Sequence, residues 1–269
     1  MQRRTYLKSI GATSALAGLA GCLGSLGGSD AVTIGSDIPY NPFEYRTEEG
    51  DLTGFDVDIA GAIFEEEMDR EYEFQETAWD GIISSLNNGD FRVIMSAMTI
   101  NEERAKSVDF SDPYFTAYQT VIVLKNGDID QLEDLKGKDV AVQKGTTGEG
   151  AAEKLKEDFG GDLTIDSYDQ IPGAFDALLN NQVSAVVNDN TVNAEFANEN
   201  DEVVFLEGEG EAAADRPEEA PPYLTLTIED YGIAFRQDDD EFREEVNDAL
   251  AAIKESGRYD EIYGNYFEG

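Results

Sequence analysis

The chain of 269 residues contains no histidine and a single cysteine, Cys22. The first absence removes the commonest acid–base group near neutral pH and the commonest zinc ligand. The second rules out internal disulfides. Basic residues are also scarce, 19 Lys and Arg against 58 Asp and Glu, for a net charge of -39. Without a basic patch nothing meets phosphates, so no nucleic-acid partner is expected. Beyond the first 22 residues no apolar run reaches the length of a membrane span. The order G-x-x-x-x-G-K-[ST] is missing as well. Gly145-Thr146-Thr147-Gly148 is a poor phosphate loop, and nucleotide hydrolysis is not supported. Acids are so abundant that a carboxylate dyad or calcium site would be a chance match. No cofactor and no metal are expected.

What is present begins with a leader. Arg3-Arg4 followed by Tyr6-Leu7-Lys8 reads as a twin-arginine export signal, with a weakly apolar Gly/Ala-rich region from Ile10 to Ala20. Leu19-Ala20-Gly21-Cys22 resembles the lipobox of exported lipoproteins, which places Cys22 where a diacylglyceryl anchor would be attached. Residues 1–22 are thus expected to be a signal and 23–30 a flexible tether, with the mature domain on the extracellular face of the membrane. Three of the basic residues (Arg3, Arg4, Lys8) lie in this leader, so the processed chain is more acidic still. Aromatics and aliphatics remain plentiful and periodic, which excludes a disordered acidic tail. Acids spread over every predicted helix resemble the proteins of extreme halophiles, where molar salt shortens the screening length to about 3 Å.

The remaining length fits one or two domains with a real core. A strand at Val32–Gly35 is followed by a loop, Ser36 to Tyr45, whose path two prolines fix. A helix opening at Thr53-Gly54-Phe55-Asp56 presents Ile59, Ala60, Ile63 and Phe64 on one side, and a second helix carries Trp79, Ile82, Ile83 and Leu86. Strands are expected at Tyr72–Phe74, Val93–Met95, Thr120–Leu124, Asp139–Val142, Leu163–Ile165, Ala185–Val187 and Tyr231–Phe235. Helices are expected after Gly145-Thr146-Thr147-Gly148, from Pro172 to Leu179, up to Ala197, from Asp239 to Glu255, and at the C-terminus. Two successive strand–helix alternations indicate two α/β lobes, the second starting near residue 120. The acidic, proline-containing stretch 207–222 has no periodicity and is expected to be a loop or insertion.

The organising stretch is residues 93–118. A buried strand leads to the small-residue loop Ser96 to Ile100, after which Asn101 can cap a short helix whose first turn holds Glu102, Glu103 and Arg104. An arginine sits poorly at a positive helix N-terminus unless an anion shares it. Ser96 and Thr99 supply hydroxyls beside it, so a carboxylate or phosphate seat and a surface ion pair are both open readings. In open parallel sheets the chemistry lies at the carboxyl ends of the strands. Those loops here are Ser36 to Pro42, Ser96 to Arg104, Gln143 to Gly148 and Asn188 to Asn190. They offer one arginine, the acids Asp37 and Asp189, threonine hydroxyls, and the rings of Tyr40 and Trp79. An α-amino acid needs these elements, arginine and hydroxyls for its carboxylate and a buried acid for its ammonium. Asp189 could equally cap the next helix, and Tyr40 and Trp79 could be core.

Several motifs, in order and spacing across Val32 to Phe267, resemble the extracellular amino-acid-binding proteins of ABC importers, the family of the glutamine-, histidine- and lysine/arginine/ornithine-binding proteins. They are Gly54-Phe55-Asp56-Val57-Asp58, Thr99-Ile100-Asn101-Glu102-Glu103-Arg104 and Val108-Asp109-Phe110-Ser111-Asp112-Pro113-Tyr114. Val140 through Gly148, Val187-Asn188-Asp189 and Tyr231 through Phe235 continue the match. The resemblance implies a two-lobed α/β fold of the periplasmic-binding-protein type II, with a ligand cleft between the lobes. Lobe 1 would comprise 31–117 and 229–269 and lobe 2 residues 118–228. It implies a non-enzymatic monomer that binds a polar L-amino acid, with glutamine or arginine preferred, and delivers it to ABC permease subunits. Arg104 would clamp the ligand carboxylate with Thr99 and Thr147. Asp189 and the backbone around Ala97 would take the ammonium, Tyr40 and Trp79 would sandwich the side chain, and Asp37 and Gln143 would face its far end. Gln143 and Asn188 depart from one glutamine-binding relative, which has lysine and histidine there. A cyclohexadienyl-dehydratase-like enzyme and an amino-acid sensor are the alternatives on the same scaffold.

Overall fold

The computed structural model describes residues 31–215 and 221–267. The expected signal, Cys22 and the tether up to residue 30 lie outside the described residues, as do residues 216–220 of the acidic stretch. Two sheets carry the architecture. The first has five strands in the order Tyr72–Glu76, Val32–Ser36, Val93–Ile94, Ala234–Phe235, Asp109–Phe110. Its first three strands are parallel, with Val32 opposite Tyr72 and Ile34 opposite Val93, while Ala234–Phe235 runs antiparallel to both neighbours. The second has the order Val203–Phe205, Phe115–Leu124, Ala185–Asp189, Asp139–Gln143, Thr164–Tyr168, its last three parallel, and Thr225–Tyr231 also pairs with Phe115–Leu124. Parallel neighbours need crossover helices, which is what the strand–helix alternation supplies.

The helices bury the faces their spacing dictates. Phe55–Ala60 continues through a wider turn, Gly61–Glu67, and together they bury Phe55, Ile59, Ala60, Ile63 and Phe64. Asp240–Glu255 buries Phe242, Val246, Ala249, Leu250 and Ile253 at intervals of three and four. The last helix, Arg258–Phe267, brings Phe267 to within 4.9 Å of Phe115 and 5.8 Å of Phe43, ring centroid to centroid. Phe43, Phe55, Phe115, Tyr231 and Phe267 form an aromatic nest, where truncating a buried ring to alanine costs about 3–5 kcal/mol. Among the described residues no helix is long and apolar enough to cross a membrane.

Three sequence expectations are corrected. The strand expected from Thr120 starts at Phe115, because Thr116 and Tyr118 alternate outward and break the apolar run without breaking the ladder. It pairs antiparallel with Thr225–Tyr231, Tyr118 opposite Ile228 and Phe115 opposite Tyr231. The single strand expected over Tyr231 to Phe235 is two: one ends at Tyr231 and Ala234–Phe235 joins the other sheet. Gly232 sits at the break, where an added Cβ would come within 2.9 Å of the Ile100 side chain. The stretch expected as a loop holds a short helix, Glu211–Asp215, whose Ala212 is buried and donates its N–H to Thr225 Oγ1 at 2.9 Å. Five residues are too few to show a period.

Candidate functional site

The parallel strands Val32–Ser36, Val93–Ile94, Asp139–Gln143 and Ala185–Asp189 end at one cavity. Every residue nominated from the sequence lines it. Asp37, Tyr40, Trp79, Ala97, Thr99 and Arg104 come from the side of the first sheet, and Gln143, Thr147 and Asp189 from the side of the second.

At one end lies Arg104, 9% exposed, in a short helical turn, Arg104–Lys106. Asn101 Oδ1 accepts the Arg104 N–H at 2.9 Å, which holds the turn. The guanidinium Nη1 donates to the Thr99 carbonyl at 2.8 Å, and its carbon lies 5.0 Å from the Trp79 ring centroid. Among the described residues no carboxylate is within 4.0 Å of it. Burial lowers its pKa, opposed first by Glu229 and then by Asp189. The surface-ion-pair reading of Arg104 therefore fails on burial and on partners.

Asp189 is 5% exposed and occupies the N-cap position of the helix Asn190–Glu199, yet its side chain makes no cap bond. Its carboxylate instead accepts from the Tyr40 hydroxyl and from Gln119 Nε2, the latter at 2.6 Å. Burial, reinforced by Glu229, raises its pKa to about 7. Tyr40 is half-buried, stacked 6.1 Å from Phe43, with its hydroxyl also 3.0 Å from Asn188 Oδ1. Trp79 is likewise half-buried and donates Nε1–H to the Gly145 carbonyl at 2.9 Å. Neither ring is plain core.

Asp37, 6% exposed, accepts from Gln143 Nε2 at 2.6 Å, and burial raises its pKa despite the hydrogen bonds of Gln143 and Gln170. Thr99 Oγ1 and Thr147 Oγ1 are 3.4 Å apart. Ala97 adopts φ 47°, a left-handed conformation uncommon outside glycine, and its N–H is taken by Asp56 Oδ2 at 2.9 Å. Hydrogen-bond contacts thus join the two sides of the cavity at Tyr40–Asp189, Tyr40–Asn188, Asp37–Gln143, Trp79–Gly145 and Thr99–Thr147. Chemically the cavity offers a guanidinium with most of its donors uncommitted at one place, a buried carboxylate at another, and a second acid beyond.

Sequence reasoning missed Gln119, whose amide bridges Asp189 and Thr147. The signal was a polar residue beside an apolar run, lost when the strand was started at Thr120. It also missed the buried Glu229, bonded by Thr227, and the pair Glu44 and Asp56 beneath the cavity. Asp56 stood inside a quoted motif, but nothing in one sequence says that it turns inward.

Comparison with known proteins places this geometry. The model of the bacterial extracellular solute-binding proteins, family 3, matches residues 32–269. A protein of Neisseria gonorrhoeae named as a probable histidine-binding protein is 34% identical over 282 residues, covering 99% of this chain and 97% of that one. Among solved structures, an ancestral arginine-binding protein bound to arginine is 39% identical with a TM-score of 0.77, covering 88% of this chain and 98% of that one. An ancestral arginine-binding protein bound to glutamine is 37% identical with a TM-score of 0.77, covering 89% and 99%.

Proposed function

The chain belongs to the bacterial extracellular solute-binding proteins, family 3, and from that premise we propose that it captures a free polar L-amino acid, arginine or glutamine, and delivers it to an ABC permease. One observation carries the reading: a buried guanidinium without an ionic partner and a buried carboxylate line one small cavity. That is the charge pattern of an α-amino acid reversed, carboxylate to Arg104 with Thr99 and Thr147, ammonium to Asp189 near the Ala97 backbone. Tyr40 and Trp79 would flank the side chain. Asp37 and Gln143 would meet its far end, and Asp37 accepts from an amide or a guanidinium but repels a second carboxylate. Glutamate therefore ranks below arginine and glutamine. The relatives named above are binding proteins, and the role here is binding rather than catalysis.

In this reading lobe 1 is 31–117 with 229–269 and lobe 2 is 118–228, hinged where Phe115–Leu124 and Thr225–Tyr231 run side by side. The leader supports twin-arginine export and a lipid on Cys22, with the mature monomer held at the outer membrane face. The net charge of -39 supports a high-salt habitat of the halophilic archaeal kind. Calorimetry in molar salt against the twenty common amino acids should find arginine or glutamine binding near micromolar, about -8 kcal/mol. Silence toward all of them would refute the proposal, and glutamate binding more tightly than both would overturn the ranking.

A further inference from the structure

Two acids lie under the cavity floor with no basic group near them. Glu44 and Asp56 are both fully buried, and their carboxyl groups are in hydrogen-bond contact. The titratable groups facing them are Asp37 and Tyr40 from the loop after the first strand, Tyr114 beyond Asp109–Phe110, and Tyr259 on the last helix. Among the described residues not one of these is a cation. Two carboxylates cannot both stay ionised in contact inside an apolar shell, so one proton must lie between them.

The surrounding bonds say which way it points. Asp56 already accepts from two donors, Ala97 N–H at 2.9 Å on Oδ2 and the Tyr114 hydroxyl shared at 2.9 Å from each oxygen, as an ionised carboxylate does. Glu44 Oε1 accepts from the Ser96 hydroxyl at 2.7 Å, and Ser96 Oγ in turn accepts the Asp37 N–H at 2.9 Å. Glu44 Oε2 has no donor among the described residues. Resting on the amino-acid-binding reading, we propose that Glu44 is a positioning residue, a neutral acid donating its proton to Asp56. This O–H···O bond locks the Ser96–Ala97 turn, and so the floor and one wall of the ligand site, in place. Burial raises both acids, but the charge of Asp56 raises Glu44 further while the bonds of Ala97, Tyr114 and Glu44 lower Asp56, which agrees with the geometry. The turn needs such a lock because Ala97 is left-handed and Ser96 has its hydroxyl committed on both sides.

E44Q decides the matter, because an amide keeps both roles: its oxygen accepts from Ser96 and its N–H₂ donates to Asp56 without any proton. E44A keeps neither. The wild-type-minus-E44Q infrared difference spectrum of the full chain in molar salt at neutral pD should show a protonated-carboxyl C=O band, over and above any from Asp189, which both proteins share. Ala97 amide exchange should match wild type in E44Q and speed up about tenfold or more in E44A, the cost of an unmade buried bond. Calorimetry with arginine and glutamine should follow the exchange, with E44Q within about threefold of wild type and E44A weaker by about tenfold or more. A difference spectrum without that band puts the proton elsewhere and overturns the assignment. Ala97 exchanging as slowly in E44A as in wild type overturns the lock, and if E44A does not fold, rapid exchange in E44Q does so instead. Wild type binding neither amino acid would refute the functional reading alone, since the infrared and exchange results stand without a ligand.

Discussion

Replacing Arg104 with alanine removes the only guanidinium that lines the cavity among the described residues, and the partner proposed for every ligand's α-carboxylate. At 9% exposure the site gives that carboxylate little water in exchange. Truncating one member of a buried, hydrogen-bonded charge pair costs about 2–5 kcal/mol, which is roughly thirtyfold to several thousandfold in Kd. The protein itself should lose much less. The bond from Nη1 to the Thr99 carbonyl is worth about 1 kcal/mol net, and relief of a desolvated cation offsets part of it. Asn101 still caps the turn through the backbone N–H of residue 104. R104A should therefore melt close to wild type while binding arginine and glutamine at least about a hundredfold more weakly, both by a similar factor. R104K, which keeps charge but not the planar fork, should fall between. Calorimetry paired with thermal melting in the same salt reads both quantities. If folded R104A binds within threefold of wild type, the carboxylate clamp is misassigned and the site must be sought elsewhere.

D37A should weaken arginine by about tenfold or more and leave small amino acids nearly unchanged, because Asp37 is proposed to meet only the variable end; an equal loss for all would refute that placement. With Asp189 raised by burial to about 7, arginine affinity should drop by up to about tenfold per unit as pH falls from 7 to 5, since the protonated acid cannot pair with an ammonium. D189N should bind weakly with no such slope, and a flat wild-type profile would count against the ammonium role. By the same linkage the raised carboxyl costs no stability at acid pH, and stability declines as pH rises from the ordinary carboxylate range through about 7. Far from the cleft, Arg92 donates to Asp239 at 3.0 and 3.1 Å and covers the Phe242 ring at 3.5 Å. R92A should lower Tm by a few degrees, about 1–2 kcal/mol after allowing for solvent screening, without changing ligand affinity, and an unshifted melt would show the contact to be idle.

The elements with long apolar periods were legible. Phe242, Val246, Leu250 and Ile253 fix the helix Asp240–Glu255 to within a residue. Ile59, Ala60, Ile63 and Phe64 fix the buried face of the first helix, though not its widened turn at Gly61–Glu67, which leaves the same side chains inward. The strand at Phe115 was hidden because an exposed Thr116 and a half-buried Tyr118 look like loop when only the run from Thr120 is apolar. In the site, Arg104 and Asp189 could be nominated because strand-end loops converge in a parallel sheet, and the cavity does gather every nominated side chain. Their partners could not be. That Tyr40 reaches Asp189 across 149 residues, or Gln143 reaches Asp37 across 106, depends on how two lobes meet, which no local pattern encodes. Glu44 and Asp56 were illegible for a related reason, since among 58 acids nothing marks these two as ones that go inside.

The contacts that join the two sides of the cavity have a consequence for how tightly anything can bind. Tyr40, Gln143 and Trp79 reach across to protein acceptors, and the two threonine hydroxyls meet each other. An amino acid entering between the sides breaks some of these contacts before it makes its own, so the protein competes with its cargo for the same hydrogen bonds. Apparent affinity is then the intrinsic affinity reduced by the fraction of molecules still open to receive it. Side chains whose hydrogen bonds cross the cleft, Gln143 to Asp37 and Tyr40 to Asp189 above all, become brakes on capture. They also set the ease of release, because a cleft that can satisfy itself gives up its cargo at a lower cost than one left with bare polar walls.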